Sequence, residues 1–251
     1  MSSYDLSSII DLLKEFAVFG GYSRQALEKN YEQKKFLMEE IYDSYVEKDI
    51  VNFLKVKNVF GFSRLVKILA NHTGKMLNVN ELSGTLEVER KTIQHYLNIL
   101  EETFVIKLVR PFFRNSLKEL TKSPKVFFID NGLRNYSVDN LIGFEQRLDK
   151  GEILENFVFT ELFKNFGVSS IHYWRTIGKQ EVDFVVEKGN KIIPIEVKSN
   201  MRNVKIPSSL KSFINEYHPP KAYVVNLKIK EKINFKETEV EFIYPFELSF
   251  F

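Results

Sequence analysis

Three polar side chains interrupt two of the most apolar stretches of the chain: Asp183 in EVDFVVE (181–187), and Glu196 and Lys198 in KIIPIEVK (191–198). Both stretches read as strands, where successive side chains alternate between faces. Asp183 is then expected on the face opposite Val182, Phe184 and Val186. Glu196 and Lys198 share a face opposite Ile193, Ile195 and Val197. The short KGN turn between the strands makes them antiparallel neighbours and sets Asp183 beside Glu196. Two acids and a lysine within apolar strands are costly unless they pair or bind a metal. Hard oxygen ligands at this spacing suit Mg²⁺ or Mn²⁺. Such an ion would polarise a scissile phosphate and lower the pKa of a bound water. Lys198 could hold that water or stabilise the developing charge.

A third acid comes from the preceding helix, expected over about 151–166. In GEILENFVFTELF, Glu155 stacks with Val158, Phe159 and Leu162, at the edge of an apolar stripe that should pack on the sheet. Asp183, Glu196 and Glu155 are the expected metal ligands, and with Lys198 they form the candidate catalytic set. The alternative for Glu155 is a structural ion pair with Lys198 or Arg175.

The elements that must position these groups follow from periodicity. After the 151–166 helix come strands at 170–175, 181–187 and 191–198, a helix near 207–217 and a strand at 221–227. The remainder is expected to add edge strands, which makes an α/β unit with a mixed sheet. Tyr173 and Trp174 are expected in the core or at its rim. Upstream, 5–16 repeats apolar positions at helical spacing, and helical patterns cover roughly 24–54 and 62–70. Asp130 and Asn131, leaving the apolar run KVFFI ahead of Gly132, read as a turn.

Residues 62–113 read as a winged helix-turn-helix. Phe62, Leu65, Val66 and Leu69 form a first stripe, and Asn78 with Glu81 makes a capping box for a second helix carrying Val79 and Leu82 inward. A turn from Gly84 to Val88 leads to a third helix at 89–102. Its Ile93, Leu97 and Leu100 point inward; Arg90, Lys91, Gln94, His95 and Asn98 point out. Strands 104–110 and 125–129 would form the wing, with Arg114, Lys118 and Lys122 between. In such a motif the exposed helix enters a DNA major groove. A solvated or protein-docking face is the alternative, since Glu87, Glu89, Glu101 and Glu102 border the helix. His95 reads as a surface histidine.

Composition bounds the rest. The chain has 251 residues, 44% hydrophobic and 14% aromatic, with no Cys, which excludes disordered and disulfide-rich chains and thiol chemistry. Its formal net charge is +3. That charge is uneven: residues 1–50 hold 6 basic and 10 acidic side chains, while 51–120 hold 11 and 6, so the middle is the part suited to a phosphate backbone. Apolar runs are too short for a membrane span, and no signal peptide or P-loop sequence occurs. A soluble, cytoplasmic protein is expected. It would comprise an N-terminal helical region at 1–58, a winged helix at 59–122 and an α/β domain at 123–251.

EVDFVVE followed by PIEVKSN resembles the PD-(D/E)xK nuclease superfamily. The chain is similar over nearly its whole length to the DUF4143 family, the carboxyl half of archaeal and bacterial AAA-type ATPases. The residues that carry this likeness are GGY at 20–22, YVEKDI at 45–50, SPKVFFIDNGLRN at 123–135, GEILENFVFTEL at 151–162 and the EVDFV/IEVK pair. The resemblance implies an α+β chain: N-terminal helices and a winged helix, then a restriction-endonuclease-like domain with a mixed sheet. It places Asp183, Glu196 and Lys198 at the nuclease signature and Glu155 at the helix acid. It implies metal-dependent DNA hydrolysis, or an inactive DNA-binding, regulatory or assembly module, with an ATPase partner or a homo-oligomer. Two departures stand out. The ATPase module is absent, as in a separately encoded or shortened form, and Ser23 stands where the family commonly has Pro.

Overall fold

Apolar side chains three and four residues apart build the first part of the chain as helices. These are α1 (Ser3–Phe19), α2 (Ser23–Leu27), α3 (Tyr31–Tyr42), α4 (Val59–Asn71), α5 (Val79–Leu86) and α6 (Arg90–Glu102). Strands β1 (Ile106–Pro111) and β2 (Lys125–Phe128) and helix α7 (Asn131–Ser137) follow. Then come α8 (Lys150–Phe166), β3 (Ile171–Arg175), β4 (Glu181–Lys188), β5 (Lys191–Lys198), α9 (Ser208–Tyr217), β6 (Lys221–Asn226), β7 (Glu231–Phe235) and β8 (Thr238–Ile243). The computed structural model describes residues 3–46, 50, 56, 58–113 and 123–250. The chain is a mixed α+β fold with N-terminal helices and an eight-stranded sheet in the order β2-β1-β3-β4-β5-β6-β8-β7. It divides into two compact units, Met1–Leu108 with Val126–Asp149, and Val109–Lys125 with Lys150–Phe251.

In the first unit, α4 buries Phe62, Leu65, Val66, Leu69 and Ala70, the stripe its spacing predicts. The Asn78 side chain accepts the Asn80 and Glu81 amides and so starts α5. That helix runs past Gly84 to Leu86, and the turn lies one step later than expected. Glu87 adopts φ 54° there and donates its amide to Ser83 O. Helix α6 buries Ile93, Leu97 and Leu100, together with Tyr96 and Ile99. The helical pattern expected over 24–54 breaks at 28–30, because the Glu28 carboxylate accepts the Lys29 and Asn30 amides and Asn30 caps α3. Asp130 takes the expected turn role as N-cap of α7 and also accepts the Gly21 amide at 2.7 Å. The strands read as a wing are β1 and β2, the first two of the sheet; Arg114, Lys118 and Lys122 lie outside the described residues, as does part of the 45–50 block.

In the second unit, β4 and β5 form the expected antiparallel hairpin, with Phe184 opposite Ile195. Strand β6 adds parallel to β5, β8 parallel to β6, and β7 closes the edge. The pairing of β3 with β4 shifts by one residue. His172 faces Val185 but Trp174 faces Val182, so Asp183 and Phe184 together oppose Tyr173. That is a bulge, and it resets the alternation. Val182 and Val185 both join the core with Leu210 and Phe213 of α9, while Phe184 stacks on Phe159 of α8 at 6.4 Å. Phe184 therefore does not share a face with Val182, as strict period two predicts. Tyr173 and Trp174 are buried, as their strand positions require.

Candidate functional site

Asp183, Glu196 and Lys198 come together because β4 and β5 pair, all within the second unit. Asp183 Oδ2 accepts the Val197 amide at 2.7 Å. Lys198 Nζ donates to Glu196 Oε1 at 2.7 Å, and Ser209 Oγ of α9 donates to the same oxygen at 3.2 Å. The second oxygen, Glu196 Oε2, is buried with no hydrogen-bond partner. Such an orphan costs about 1–3 kcal/mol, more when charged, which makes Glu196 the strained member of the group.

Glu155 reaches the cluster from α8, but its ion-pair partner is neither Lys198 nor Arg175. Lys125, at the start of β2, donates its ammonium to Glu155 Oε1 at 3.2 Å and lies 2.6 Å from Glu181 Oε1. The same ammonium sits 5.4 Å from the centre of the Tyr173 ring. Arg175 donates to the other Glu181 oxygen at 2.9 Å. The Lys125 side chain is 2% exposed. Lys125 and Glu181 are the members that sequence reasoning missed. The usable signal was a lysine heading the otherwise apolar run KVFF, the same kind of anomaly that marked Lys198.

Burial dominates the electrostatics. It raises the Glu155 carboxyl to about 8, with Asp183 adding to the rise and Lys125 opposing it. It raises Glu196 to about 7, again with help from Asp183 and against the pull of Lys198. Asp183 is raised as well, by burial acting against Lys125 and Lys198. Burial disfavours the Lys125 charge, yet Glu155, Asp183 and Glu181 outweigh it and hold this ammonium above the ordinary lysine value. Burial thus works against the charged form of Glu155, while the Lys125 ammonium at its Oε1 works for it.

Each carboxylate of the cluster already has one oxygen committed to a protein partner. One oxygen of Asp183 accepts a backbone amide, one of Glu196 accepts Lys198 and Ser209, and one of Glu155 accepts the Lys125 ammonium. Among the described residues, no group of three or more His, Asp or Glu side chains could hold a metal ion.

The other candidate surface belongs to the first unit. Arg90, Lys91, Gln94, His95 and Asn98 are all exposed along α6, opposite its buried stripe. Of the nearby acids, Glu101 turns its carboxylate to the Leu108 amide at 3.0 Å.

The two parts of the chain, one mostly helical and one a sheet between two helices with a lysine-neutralised acid cluster, also divide by family. The chain belongs to the family described as domain of unknown function DUF8612, which matches residues 10–145, and its C-terminal part to DUF4143, which matches residues 150–247. The DUF4143 likeness is thus confined to the second part rather than nearly the whole length. An uncharacterized protein of Haemophilus influenzae is 28% identical over 76% of this chain and 47% of its own length. One of Methanocaldococcus jannaschii is 26% identical over 91% of this chain and 51% of its own. One of Mycobacterium tuberculosis is 30% identical over 52% of this chain and 30% of its own. The chain therefore spans about half the length, or less, of these curated relatives. The solved structure of protein VC1899 from Vibrio cholerae matches 92% of this chain and 55% of its own at 15% identity, with a TM-score of 0.26. A score that low carries no argument about the fold. Among the described residues, no helix is long and apolar enough to cross a membrane.

Proposed function

We propose that this chain is a DNA-binding module, regulatory or assembling in role, built from a winged helix and a PD-(D/E)xK-like unit that does not turn over. The observation that carries this reading is the Lys125 ammonium, buried among Glu155, Glu181 and Asp183. It supplies to the carboxylates the positive charge that a catalytic ion would otherwise supply. The winged-helix part of the reading rests on α4, α5 and α6 and on the Thr73–Val126 bridge, which pairs the α4–α5 connection with β2. The exposed basic and amide groups of α6 are the expected contacts to DNA. An ATPase partner is what the DUF4143 resemblance implies. The test is fluorescence anisotropy with a labelled duplex at increasing salt. Binding is expected to weaken steeply as counterions compete, and Lys91→Ala/Gln94→Ala/Asn98→Ala is expected to weaken it about tenfold. Affinity indifferent to both salt and the triple substitution would make α6 a protein-docking face instead.

A second reading, a Mg²⁺- or Mn²⁺-dependent deoxyribonuclease, is favoured by one observation, the partnerless Glu196 Oε2 beside Asp183. It requires an ion to displace the hydrogen bonds now made by the cluster. Mn²⁺ binding and plasmid cleavage, both lost in Asp183→Ala, would establish it. In that case Lys198→Ala would keep Mn²⁺ binding and lower cleavage about 100-fold. No cleavage of supercoiled, branched or single-stranded DNA by the unaltered chain supports the first reading.

A further inference from the structure

The loops at one end of the β4–β5 hairpin differ in charge from the rest of the chain. The register that sets Phe184 opposite Ile195 brings Glu181 level with Lys198, so the β3–β4 turn and the β5–α9 connection leave the sheet at the same end. Basic and acidic residues are nearly balanced overall, 36 against 33. Yet the β3–β4 turn, Arg175 to Gln180, contains no acid, and neither does the stretch from Val197 to Asn215. Arg175 and Lys198 are used within the cluster, paired to Glu181 and Glu196. Lys179, Arg202 and Lys205 are exposed, and their charges face solvent.

Two further features narrow the partner. Exposed amides, Gln180 and Asn203, stand between these bases, and amides reach both phosphates and base edges. Ile177 stands fully exposed at the tip of the turn, 105% of its reference area. Hydrogen bonds close that turn: the Thr176 amide donates to Gln180 O at 3.0 Å, the Thr176 hydroxyl accepts the Gln180 amide at 3.2 Å, and Lys179 adopts φ 62°. A hydrogen-bonded turn with one apolar residue at its tip among bases and amides fits a nucleic-acid groove, where a single side chain wedges against a base step. An anionic membrane would call for a broader apolar patch.

We propose that these two loops of the second unit form a nucleic-acid-binding surface of their own, with Lys179, Arg202 and Lys205 on the phosphate backbone and Ile177 against a base or sugar. It rests on the nucleic-acid reading above but does not use the α6 face. The experiment measures anisotropy of labelled duplex and single-stranded DNA on the full chain across a salt series. Five proteins are compared: unaltered, Lys179→Ala/Arg202→Ala/Lys205→Ala, Ile177→Ser, the α6 triple variant, and the two triples combined. All the substituted positions are exposed, so folding is preserved and is checked by thermal melting. The loop triple variant is expected to lose about tenfold in affinity at low salt and to flatten the log–log salt slope by about two to three. Ile177→Ser should weaken binding about threefold with the slope unchanged. The α6 variant should keep residual binding that the loop substitutions then remove. If the loop variant binds like the unaltered chain while the α6 variant does not bind, this surface is refuted and the DNA-binding reading stands. If the unaltered chain binds neither DNA, both fall. If the loop bases instead govern binding to phosphatidylserine vesicles and leave DNA affinity untouched, the partner is a membrane and the proposal is overturned.

Discussion

Lys125 decides what the acid cluster can be. Replacing it with Met, which keeps the length and apolar stem, leaves Glu155 and Glu181 facing each other without their shared cation. Removing one partner from a buried pair costs about 3–5 kcal/mol, and a urea denaturation series should read a loss of that order. Above about pH 8, where Glu155 is ionised, adding Glu155→Gln to Lys125→Met should recover part of the loss, because the penalty there includes its stranded charge. The titration of the cluster also has a definite sign. Glu155 and Glu196 hold their protons in the folded chain up to about 8 and about 7, above the ordinary glutamate value near 4.3 of an unfolded chain. The stability they contribute is full below that ordinary value and is lost as pH rises through the folded values. Unfolding free energy should therefore fall between about pH 4.5 and 8, by at most about 1.4 kcal/mol per pH unit for each group. Glu155→Gln should flatten the upper part of that slope. Asp183, Glu196 and Lys198 were legible as anomalies in alternating strands. Lys125 was not, because its partners lie 30 and 56 residues away and no periodicity links them.

At the scale of elements, close approach sets the limits. A Cβ on Gly132 would lie 2.0 Å from Phe19 O at the end of α1 and 2.5 Å from the Met38 methyl of α3. The carbonyl belongs to the backbone and cannot swing aside, so Gly132→Ala should cost about 1–3 kcal/mol or more and lower the melting temperature of the first unit. The substitution Asn78→Ala should be milder. It removes the side-chain acceptor for two amides of α5 and should cost about 1 kcal/mol, seen as a shift in thermal midpoint with DNA-free protein. Most helices and strands were readable from spacing to within a residue or two, since burying one face enforces one period. The misplacements have local causes. Gly84 suits a turn but is carried inside α5, and the bulge at Asp183–Phe184 is invisible to alternation because an inserted residue leaves the composition unchanged.

For the whole molecule, segmentation was the least legible property. The sequence boundary at 122/123 separates two contiguous blocks, whereas the compact units interleave, with Val109–Lys125 belonging to the second. Contiguity is a habit of reading; compactness depends on which strand a segment pairs with. Here Arg110 and Pro111 pair with His172 and Tyr173. A fragment of residues 150–251, which contains the whole DUF4143 match, should therefore fold poorly. It lacks the parallel neighbour of β3 and the counter-charge of Glu155 and Glu181. Circular dichroism should show a broad, weakly cooperative melt where the full chain melts sharply.

The interleaving also gives the nascent chain an order of events. As the polypeptide leaves the ribosome, the segment from Val109 to Lys125 emerges well before the strand and helix it belongs with. The first unit has all its residues once Asp149 is out, while Lys125 must still wait for Glu155 and then Glu181. At about 5–20 residues per second that delay lasts a few seconds, during which β1 presents an unpaired edge and Lys125 a solvated ammonium. The lysine is hydrated for as long as it lacks its carboxylates, and it loses that water only when the last of them arrives. Sealing the acid cluster is thus a late step of vectorial folding, tied to the moment β4 clears the exit tunnel.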